Sequence, residues 1–463
     1  MLIIAFVALA TLSLPGALAA QISVVDGVVG GVPKANLAPA RPNVPMTSPT
    51  APGKLRAVEN SGAHHREMTP GVYQASGYGD LTAMESMWFW FFAARSNPST
   101  APLALWFNGG PGSSSMIGLF QEHGPCRITN DSSSVTLNPY SWNNNANVLY
   151  IDQPVGAGFS HGTLNVGTSQ EAASDVWKFM QIFFSDPRFA KYATNDLAIW
   201  TESYGGHYGP TFAAYILSQN SAIAAGTISG IRLNLKVLGI GDGLTDPLVQ
   251  YPGYIVYAAS NPYHPLVSSS VISRANTSWT RTSATGNAGC KEQLEIMTSV
   301  AAASIASHPY PPDVTTYLNT IGKSVGAEST WQETNFQIYA NFANTGDWMR
   351  NSRPDLETVI NAGVRTIIFD GDADYILNYV GVEAMVDALD TKFASLYKQQ
   401  TFKAYTVAGQ ATGQYKNAGT FSYVRIYGAG HEVPAYKFGN LAYGQAAAQM
   451  FTQIMSNQPL TPT

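Results

Sequence analysis

A single serine stands at the junction between a predicted strand and a predicted helix. Residues 197–200 form a short apolar run typical of a buried strand, and residues 211–217 have the pattern of a helix. Ser203 lies in the turn between them, where the bend would expose its hydroxyl group and the helix N-terminus would favour nearby negative charge. Gly205 follows, where a crowded turn leaves no room for a side chain. The sequence therefore predicts a nucleophile elbow.

The elbow pattern is incomplete, which leaves a second interpretation open. The general Gly-x-Ser-x-Gly pattern has a glycine two positions before the serine, and this chain has Thr201 there. An ordinary Ser-Tyr-Gly-Gly turn would contain the same residues. The elbow therefore needs support from the rest of the chain.

Short apolar segments recur at wide intervals along the chain. They predict strands at residues 148–151, 197–200, 236–240, 366–369 and 423–426. A helix is predicted to follow Thr168, because Thr168 and Glu171 have the spacing of a capping box and apolar residues follow on one face. Strands that alternate with helices indicate an α/β fold with a mostly parallel sheet covered on both faces.

Two departures from this alternation are also predicted. Residues 86–92 and 103–107 have the composition of strands, and the break at residues 97–100 predicts that they pair as a hairpin. Residues 248–344 interrupt the rhythm of strands and helices. We expect this segment to be an insertion that covers the C-terminal edge of the sheet, where the sites of open α/β folds lie.

The N-terminal sequence predicts export from the cell. An apolar run ends in small residues, which indicates a signal peptide over residues 1–20. Residues 21–67 show no sustained period and are interpreted as a linker, a pro-segment or a loosely draped arm, so the folded domain would span residues 68–463. No later segment is apolar and long enough for a bilayer. We expect a secreted protein without a membrane partner, or one sent to a vacuole or lysosome-like compartment.

Charge and cysteine content fit an exported enzyme. Charged residues make up 12% of the chain and the net charge is −5, so no nucleic acid partner is expected. Cys126 and Cys290 would form one disulfide bond in an oxidising compartment, with two buried free thiols as the alternative. Asn130 and Asn276 each begin a glycosylation sequence, although each could also lie in an unmodified loop.

A serine nucleophile requires a base and an acid later in the chain. In sheets of this type the order is Ser, then Asp or Glu, then His. His431 is the histidine that lies after Ser203 in a loop directly following a predicted strand. The acid should follow a strand end in the same way, and three aspartates compete there: Asp370, Asp372 and Asp374.

The same aspartates admit a calcium loop as an alternative. That loop would have Gly at its sixth position and Glu at its twelfth, and this chain has Tyr375 and Gly381 there. We therefore expect no metal ion.

A glycine-rich segment at residues 106–115 predicts an anion pocket. Its three glycines would expose backbone N–H groups, as an oxyanion hole requires. A phosphate-binding loop would have a lysine after its last glycine, and Ser113 stands there, so we expect no nucleotide and no other cofactor.

Six segments together resemble the successive motifs of the serine carboxypeptidase family. They are residues 106–125, 150–156, 201–208, 241–247, 371–374 and 430–434. The resemblance extends from about residue 72 to near the C-terminus. It implies an α/β-hydrolase fold and the removal of single residues from the C-termini of peptides and proteins.

The resemblance also implies roles for individual residues. Ser203 would be the nucleophile, His431 the base and Asp374 the acid that orients it. The oxyanion would be bound by the backbone N–H groups of Gly110 and Tyr204. The terminal carboxylate of the substrate would be recognised by Asn108, Glu122 and Glu202, with Trp106 alongside. Ser113 and Leu377 stand where some relatives have cysteines, so the usual disulfide pattern of the family is not implied.

Glu432 follows the predicted catalytic histidine. We predict that it faces the leaving residue and favours Lys or Arg there, and the alternative is a solvated glutamate without influence.

The function predicted from the whole sequence is a secreted serine carboxypeptidase that acts at acidic pH through an acyl-enzyme. An acyltransferase or lyase on the same scaffold is the alternative, and a non-catalytic extracellular binding protein is a third possibility. Glu122 and Glu202 argue against the alternative, because they would serve a free C-terminal carboxylate. The sequence carries no signal for an oligomeric state.

Overall fold

The computed structural model describes residues 53–60, 67–282 and 311–463, with the backbone alone for residues 278–282, and three short strands near the N-terminus. These strands form a small antiparallel sheet and are β1 (Val24–Val25), β2 (Val28–Val29) and β3 (Val32–Pro33). The predicted signal peptide, most of the predicted segment 21–67 and Cys290 lie outside the described residues.

Fourteen further strands follow in chain order in the part of the chain that the structure describes. They are β4 (Leu55–Glu59), β5 (Gln74–Thr82), β6 (Glu85–Phe92), β7 (Leu103–Phe107), β8 (Cys126–Ile128), β9 (Val135–Leu137), β10 (Asn147–Ile151), β11 (His161–Gly162), β12 (Leu197–Glu202), β13 (Leu235–Gly241), β14 (Arg365–Gly371), β15 (Lys403–Val407), β16 (Gln410–Ala418) and β17 (Phe421–Ile426). Strands β8 and β9 form a separate two-stranded sheet, and the others form one 12-stranded sheet.

The centre of the large sheet is parallel. Its strand order is β15-β16-β17-β14-β13-β12-β7-β10-β6-β5-β4, with β11 paired to β6. The strands from β17 to β10 in this order run parallel to one another, and the outer strands are antiparallel. Almost all residues of the central strands are buried, as expected for a parallel sheet with helices on both faces. The predicted α/β fold class is therefore confirmed, and the five predicted strands are β10, β12, β13, β14 and β17.

The predicted hairpin between residues 86–92 and 103–107 is wrong. Strand β6 pairs with β5 and β10, whereas β7 lies on the other side of β10. The two segments do run in opposite directions, as predicted, but a strand from later in the chain is inserted between them. Turn residues indicate that the chain changes direction, but they do not indicate which strand will pair with the strand before the turn.

The helices of the described residues cover the two faces of the sheet. They are α1 (Ser169–Ser185), α2 (Gly205–Ala224), α3 (Pro247–Gln250), α4 (Pro252–Ala259), α5 (Ser269–Thr282), α6 (Thr315–Ile321), α7 (Phe336–Thr345), α8 (Arg353–Asn361), α9 (Tyr379–Asp387), α10 (Ala394–Gln399) and α11 (Gln445–Met455). A short π-helix (Gly118–Glu122) and 3-10 turns occur between them. None of these helices has the length and apolar character that a membrane crossing needs.

Helix α1 begins at the predicted capping box. The side chain of Thr168 accepts a hydrogen bond from Glu171 N at 3.2 Å, and Glu171 Oε2 accepts one from Thr168 N at 3.1 Å. Its buried face packs on strand β6, where the ring of Phe89 lies 5.8 Å from that of Phe179 and 5.6 Å from that of Phe183. A local capping signal and a periodic apolar face were sufficient to locate this helix.

The segment predicted as an insertion contains helices α3 to α7, which lie between β13 and β14. Its last part contacts the glycine-rich segment: Ser114 N donates to Glu333 O at 2.8 Å, and Asn335 N donates to Gly112 O at 2.9 Å. Trp331 Nε1 also donates to Ser114 Oγ at 2.8 Å. The division of the chain into a domain and an insertion over residues 248–344 stays a prediction.

Strand β4 lies within the segment that the sequence predicts to be a linker or pro-segment. It pairs with β5 at one edge of the sheet. Arg56 Nη2 lies 2.9 Å from Oδ1 of the buried Asp80, and Arg56 also forms an ion pair with Glu328. The sheet therefore begins before residue 68, and removal of residues from the segment 21–67 stays a prediction.

Candidate active site

Ser203 follows β12 directly, at the start of helix α2. Its φ of 65° lies in the left-handed region that residues with side chains rarely adopt. Ser203 N donates to Gly241 O at 3.0 Å, and Leu244 N donates to Ser203 O at 2.9 Å, so the turn is tied to the neighbouring strand and loop. A Cβ at Gly205 would lie 2.5 Å from Cβ of Thr201. The turn therefore has the geometry of a nucleophile elbow, and its glycine is required by contact with Thr201.

His431 and Asp374 are joined by a hydrogen bond of 2.8 Å between Nδ1 and Oδ2. The carboxylate of Asp374 also accepts hydrogen bonds from the backbone amides of Ile376 at 2.9 Å and Leu377 at 3.1 Å, which fix its orientation. The bond to Nδ1 turns the other ring nitrogen, Nε2, away from the acid. Because β12, β14 and β17 are parallel, the residues that follow them lie along the same edge of the sheet as Ser203.

The three competing aspartates contact different partners. Asp370 accepts a hydrogen bond from the hydroxyl of Tyr423 at 2.8 Å. Asp372 accepts hydrogen bonds from Gly428 N at 2.8 Å and from the hydroxyl of Tyr263 at 2.6 Å. Asp374 is the one of the three whose carboxylate contacts His431. Sequence spacing left this choice open, because the three aspartates alternate with single residues at the end of β14 and directly after it.

The glycine-rich segment lies directly against the elbow. A Cβ at Gly109 would lie 2.4 Å from Tyr204 N, so only glycine permits this approach. Gly110 has a φ of 106°, a conformation that also favours glycine. The backbone around Gly110 and the amide of Tyr204 therefore meet beside Ser203, where an oxyanion hole would have to be.

Asp152 holds this segment in place, a role that sequence reasoning did not assign. Its buried carboxyl group accepts hydrogen bonds from Ser114 Oγ at 2.7 Å, Ser115 N at 2.9 Å and Phe159 N at 2.9 Å. Burial raises the pKa of Asp152 to about 7, against the effect of these bonds. The motif at residues 150–156 was visible in the sequence, but the partners of its aspartate come from two other segments.

Asn108 is the centre of a buried polar network. Its Nδ2 donates to Oε1 of Glu122 at 3.3 Å and to Oε1 of Glu202 at 3.2 Å. Its Oδ1 accepts a hydrogen bond from Trp106 Nε1 at 2.6 Å. The structure thus brings together all four residues predicted to recognise a terminal carboxylate.

The carboxyl groups of Glu122, Glu202 and Glu432 influence one another. Burial raises the pKa of Glu122 to about 7. Burial, and then the charges of Glu122 and Glu432, raise the pKa of Glu202 well above its ordinary value. Burial and the charge of Glu122 raise the pKa of Glu432 in the same direction. At mildly acidic pH this cluster holds protons, and a protonated carboxyl group can donate a hydrogen bond to a carboxylate.

Several carboxyl oxygens of this cluster are buried without a hydrogen-bond partner among the described residues. Among the described residues, neither oxygen of the Glu432 carboxyl group has a hydrogen-bond partner, and neither does Oε2 of Glu122. Buried carboxyl groups are normally hydrogen-bonded, and such exceptions call for an explanation. Glu432 is fully buried, so the solvated alternative considered from the sequence does not describe it.

The predicted modification sites fall partly within the described residues. Cys126 is buried, and Cys290 lies outside the described residues, so their disulfide bond stays a prediction. Asn130 and Asn276 are both exposed, and their glycosylation stays a prediction.

The fold and this arrangement of residues define an α/β hydrolase with a serine, a histidine and an aspartate at the C-terminal edge of its sheet. The family model of the serine carboxypeptidases matches residues 65–315 and 306–457. The chain belongs to the serine carboxypeptidase family.

Individual relatives agree with this assignment. Carboxypeptidase S1 of Penicillium janthinellum is 40% identical over 432 residues, which cover 88% of this chain and 100% of that protein. Carboxypeptidase Y of Schizosaccharomyces pombe is 35% identical over 399 residues, 78% of this chain and 40% of that protein. The crystal structure of Kex1Δp, a prohormone-processing carboxypeptidase from Saccharomyces cerevisiae, has a TM-score of 0.69 and 22% identity, covers 85% of this chain and 94% of that one, and shows the same fold.

The protein is therefore an enzyme of the serine carboxypeptidase type, a hydrolase whose substrates are peptides. The acyltransferase or lyase alternative is not favoured by these relatives.

The different partners of the aspartates predict different effects of substitution. Asp374→Asn should slow the labelling of Ser203 by a fluorophosphonate by about 10²–10⁴-fold, because an asparagine holds the imidazole in the wrong tautomer. Asp372→Asn is the matched control and should remain within about tenfold of the wild type, because its partners are a backbone amide and a tyrosine hydroxyl. Equal losses in the two variants would show that Asp372 and Asp374 have one shared structural role.

Proposed function

We propose that this enzyme binds the free C-terminus of a peptide on the Asn108 network and cleaves the last peptide bond with Ser203. The observation that carries this proposal is the contact of one amide with two buried carboxyl groups next to the elbow. Such a network can donate hydrogen bonds to a carboxylate only while the carboxyl groups hold protons, which directs the enzyme towards acidic pH.

The catalytic steps follow from the hydrogen bonds of the site. His431 would take the proton of the Ser203 hydroxyl as the oxygen attacks the scissile carbonyl, and Asp374 would stabilise the imidazolium that forms. The backbone N–H groups of Gly110 and Tyr204 would bind the oxyanion. His431 would then protonate the departing amine, so that the C-terminal residue leaves and an acyl-enzyme remains, which water hydrolyses with the same base.

The sequence supports further features of the proposed enzyme. We propose that the signal peptide directs it out of the cell or to a vacuole, and that residues 68–463 with strand β4 form the catalytic domain. Its substrates would be the C-termini of peptides and proteins.

Stepwise digestion of a peptide tests the proposed activity. A peptide incubated with the enzyme at pH 5 should shorten from its C-terminus by single residues, as mass spectrometry can follow. Ser203→Ala should keep the thermal unfolding profile of the wild type and lose several orders of magnitude in rate, because the nucleophile and its base act as a unit. Shortening from the N-terminus, or near-normal turnover by Ser203→Ala, would contradict the proposal.

The protonated carboxyl cluster predicts a pH dependence that depends on the substrate. The protonated form that binds a carboxylate is lost as pH rises through the pKa of Glu122, about 7, so the KM of a peptide should increase above this range. A peptide amide has no terminal charge, so the pH profile of its kcat/KM should lack the contribution of the Glu122 proton. In Glu122→Gln, which keeps a donor at every pH, the peptide profile should flatten. Superimposable wild-type profiles for the peptide and its amide would disprove the recognition role.

The burial of Glu432 predicts how a preference for basic leaving residues should depend on pH. Its raised pKa keeps the group neutral in acid, so attraction to a C-terminal Arg should appear only as pH rises. The ratio of kcat/KM for peptides ending in Arg and in Leu should increase with pH in the wild type and stay constant in Glu432→Met. Because both substrates carry the same terminal carboxylate, the ratio cancels the contribution of Glu122 and Glu202. An identical ratio in both proteins at every pH would assign Glu432 no influence on specificity.

A further inference from the structure

Asp242 is a fully buried carboxyl group between the elbow and the turn that carries Asp374. It follows β13 directly and has a φ of 40°, in the left-handed region. Its backbone N–H donates to Phe369 O at 2.9 Å, and its Oδ1 accepts a hydrogen bond from Gly371 N at 3.0 Å. The side chain therefore holds Gly371, the last residue of β14, which directly precedes the turn that carries Asp374 (residues 372–375, the acid turn).

Gly371 is also the point of contact between the acid turn and the loop of His431. A Cβ at Gly371 would lie 2.3 Å from Ala429 O and 2.4 Å from Gly430 O, so the two backbones are in direct contact. Ala373 N also donates to Ala429 O at 2.9 Å. A displacement of Gly371 would be transmitted to the bond between Asp374 and His431, because both ends of that bond lie next to this contact.

The surroundings of Asp242 are rich in carboxyl groups. Four of these groups influence the charge of Asp242. They are Asp370 on β14, Asp374 in the acid turn, Glu122 in the short π-helix and Glu202 at the end of β12. Among the described residues, Oδ2 of Asp242 has no hydrogen-bond partner. Burial, and then the charges of Asp374 and Asp370, raise the pKa of Asp242 well above its ordinary value. An ionised carboxylate in this position would be buried beside the charge of Asp374, and among the described residues no Lys or Arg forms an ion pair with it.

We propose that Asp242 is a positioning residue that works as the neutral acid, with Oδ1 holding the amide of Gly371 so that the negative charge next to His431 is that of Asp374. The inference rests on the proposed role of Asp374 as the acid that orients His431, and it identifies a residue that positions Asp374. Asparagine has the same shape, keeps an oxygen for the amide of Gly371 and tolerates a positive φ, so Asp242→Asn should reproduce the neutral acid at every pH.

Thermal unfolding tests the charge state without reference to catalysis. In the unfolded chain an aspartate ionises near pH 4, whereas folded Asp242 keeps its proton to higher pH. Below pH 4 Asp242 is protonated in both the folded and the unfolded state. Above pH 4 only the folded state keeps this proton, so the free energy of unfolding of the wild type falls, relative to that of Asp242→Asn, with each pH unit. The difference in Tm between the variant and the wild type should therefore grow upward from about pH 4, by roughly 1–3 °C per pH unit. A constant difference, or one that falls with pH, would overturn the proposal.

Asp246→Asn is the matched control from the same loop. Asp246 is buried but paired with Arg353, with Oδ2 and Nη1 3.3 Å apart, so its variant should be less stable than the wild type at neutral pH. Opposite signs for the two substitutions at pH 7 would support the neutral state of Asp242, and equal signs would contradict it.

Kinetics test the positioning role. With an amidated peptide, which does not depend on the Glu122 and Glu202 protons, Asp242→Asn should remain within about twofold of the wild-type kcat/KM at pH 5. Asp242→Ala, which removes the acceptor for Gly371 N, should lose about 10²-fold through misplacement of the acid turn. Equal losses in the Asn and Ala variants would overturn the proposal. If the protein has no peptidase activity but shows the expected pH dependence of the Tm difference, the proposed function is contradicted and the neutral state of Asp242 is not.

Discussion

Direct contact between backbones at the end of the sheet is the constraint on which the site depends. Gly109 lies against the amide of Tyr204, and Gly371 lies against the carbonyl groups of Ala429 and Gly430, with no space for a side chain at either contact. The first contact brings the glycine-rich segment to the nucleophile, and the second brings the acid to the base. Such contacts form because parallel strands end together, so that their following turns share one small volume.

The same crowding concentrates carboxyl groups where water is excluded. These carboxyl groups have two kinds of surroundings. Asp374 is hydrogen-bonded to two backbone amides and to the imidazole of His431. Glu122, Glu202 and Glu432 instead lie against one another with the single amide side chain of Asn108 between two of them, which suits shared protons. The carboxyl groups of this edge of the sheet therefore lie in two environments, one rich in hydrogen-bond donors and one rich in other carboxyl groups.

Local signals in the sequence were sufficient where the structure is local. The capping box at Thr168 located helix α1, because the box depends on neighbours within a few residues. The incomplete elbow pattern at Ser203 needed support from motifs later in the chain. The pairing of β6 with β7 was predicted wrongly, since the position of β10 between them is set by the whole sheet. Motif order suggested which segments meet, but the charge of a carboxyl group depends on neighbours from several segments. This is why Asp152 and Asp242 lay inside visible motifs without an assignable role.

Strand β4 has a consequence for how the N-terminal part of the chain could be trimmed. It carries Arg56 and Glu59 at the border of the sheet, and behind it β5 is buried along almost its whole length. Charged residues on an outermost strand discourage pairing with another molecule, whereas a long buried strand laid bare would present unpaired backbone groups and invite aggregation. Loss of β4 after such a cut would create this surface, whereas a cut before Leu55 would leave β4 joined to the chain and β5 covered.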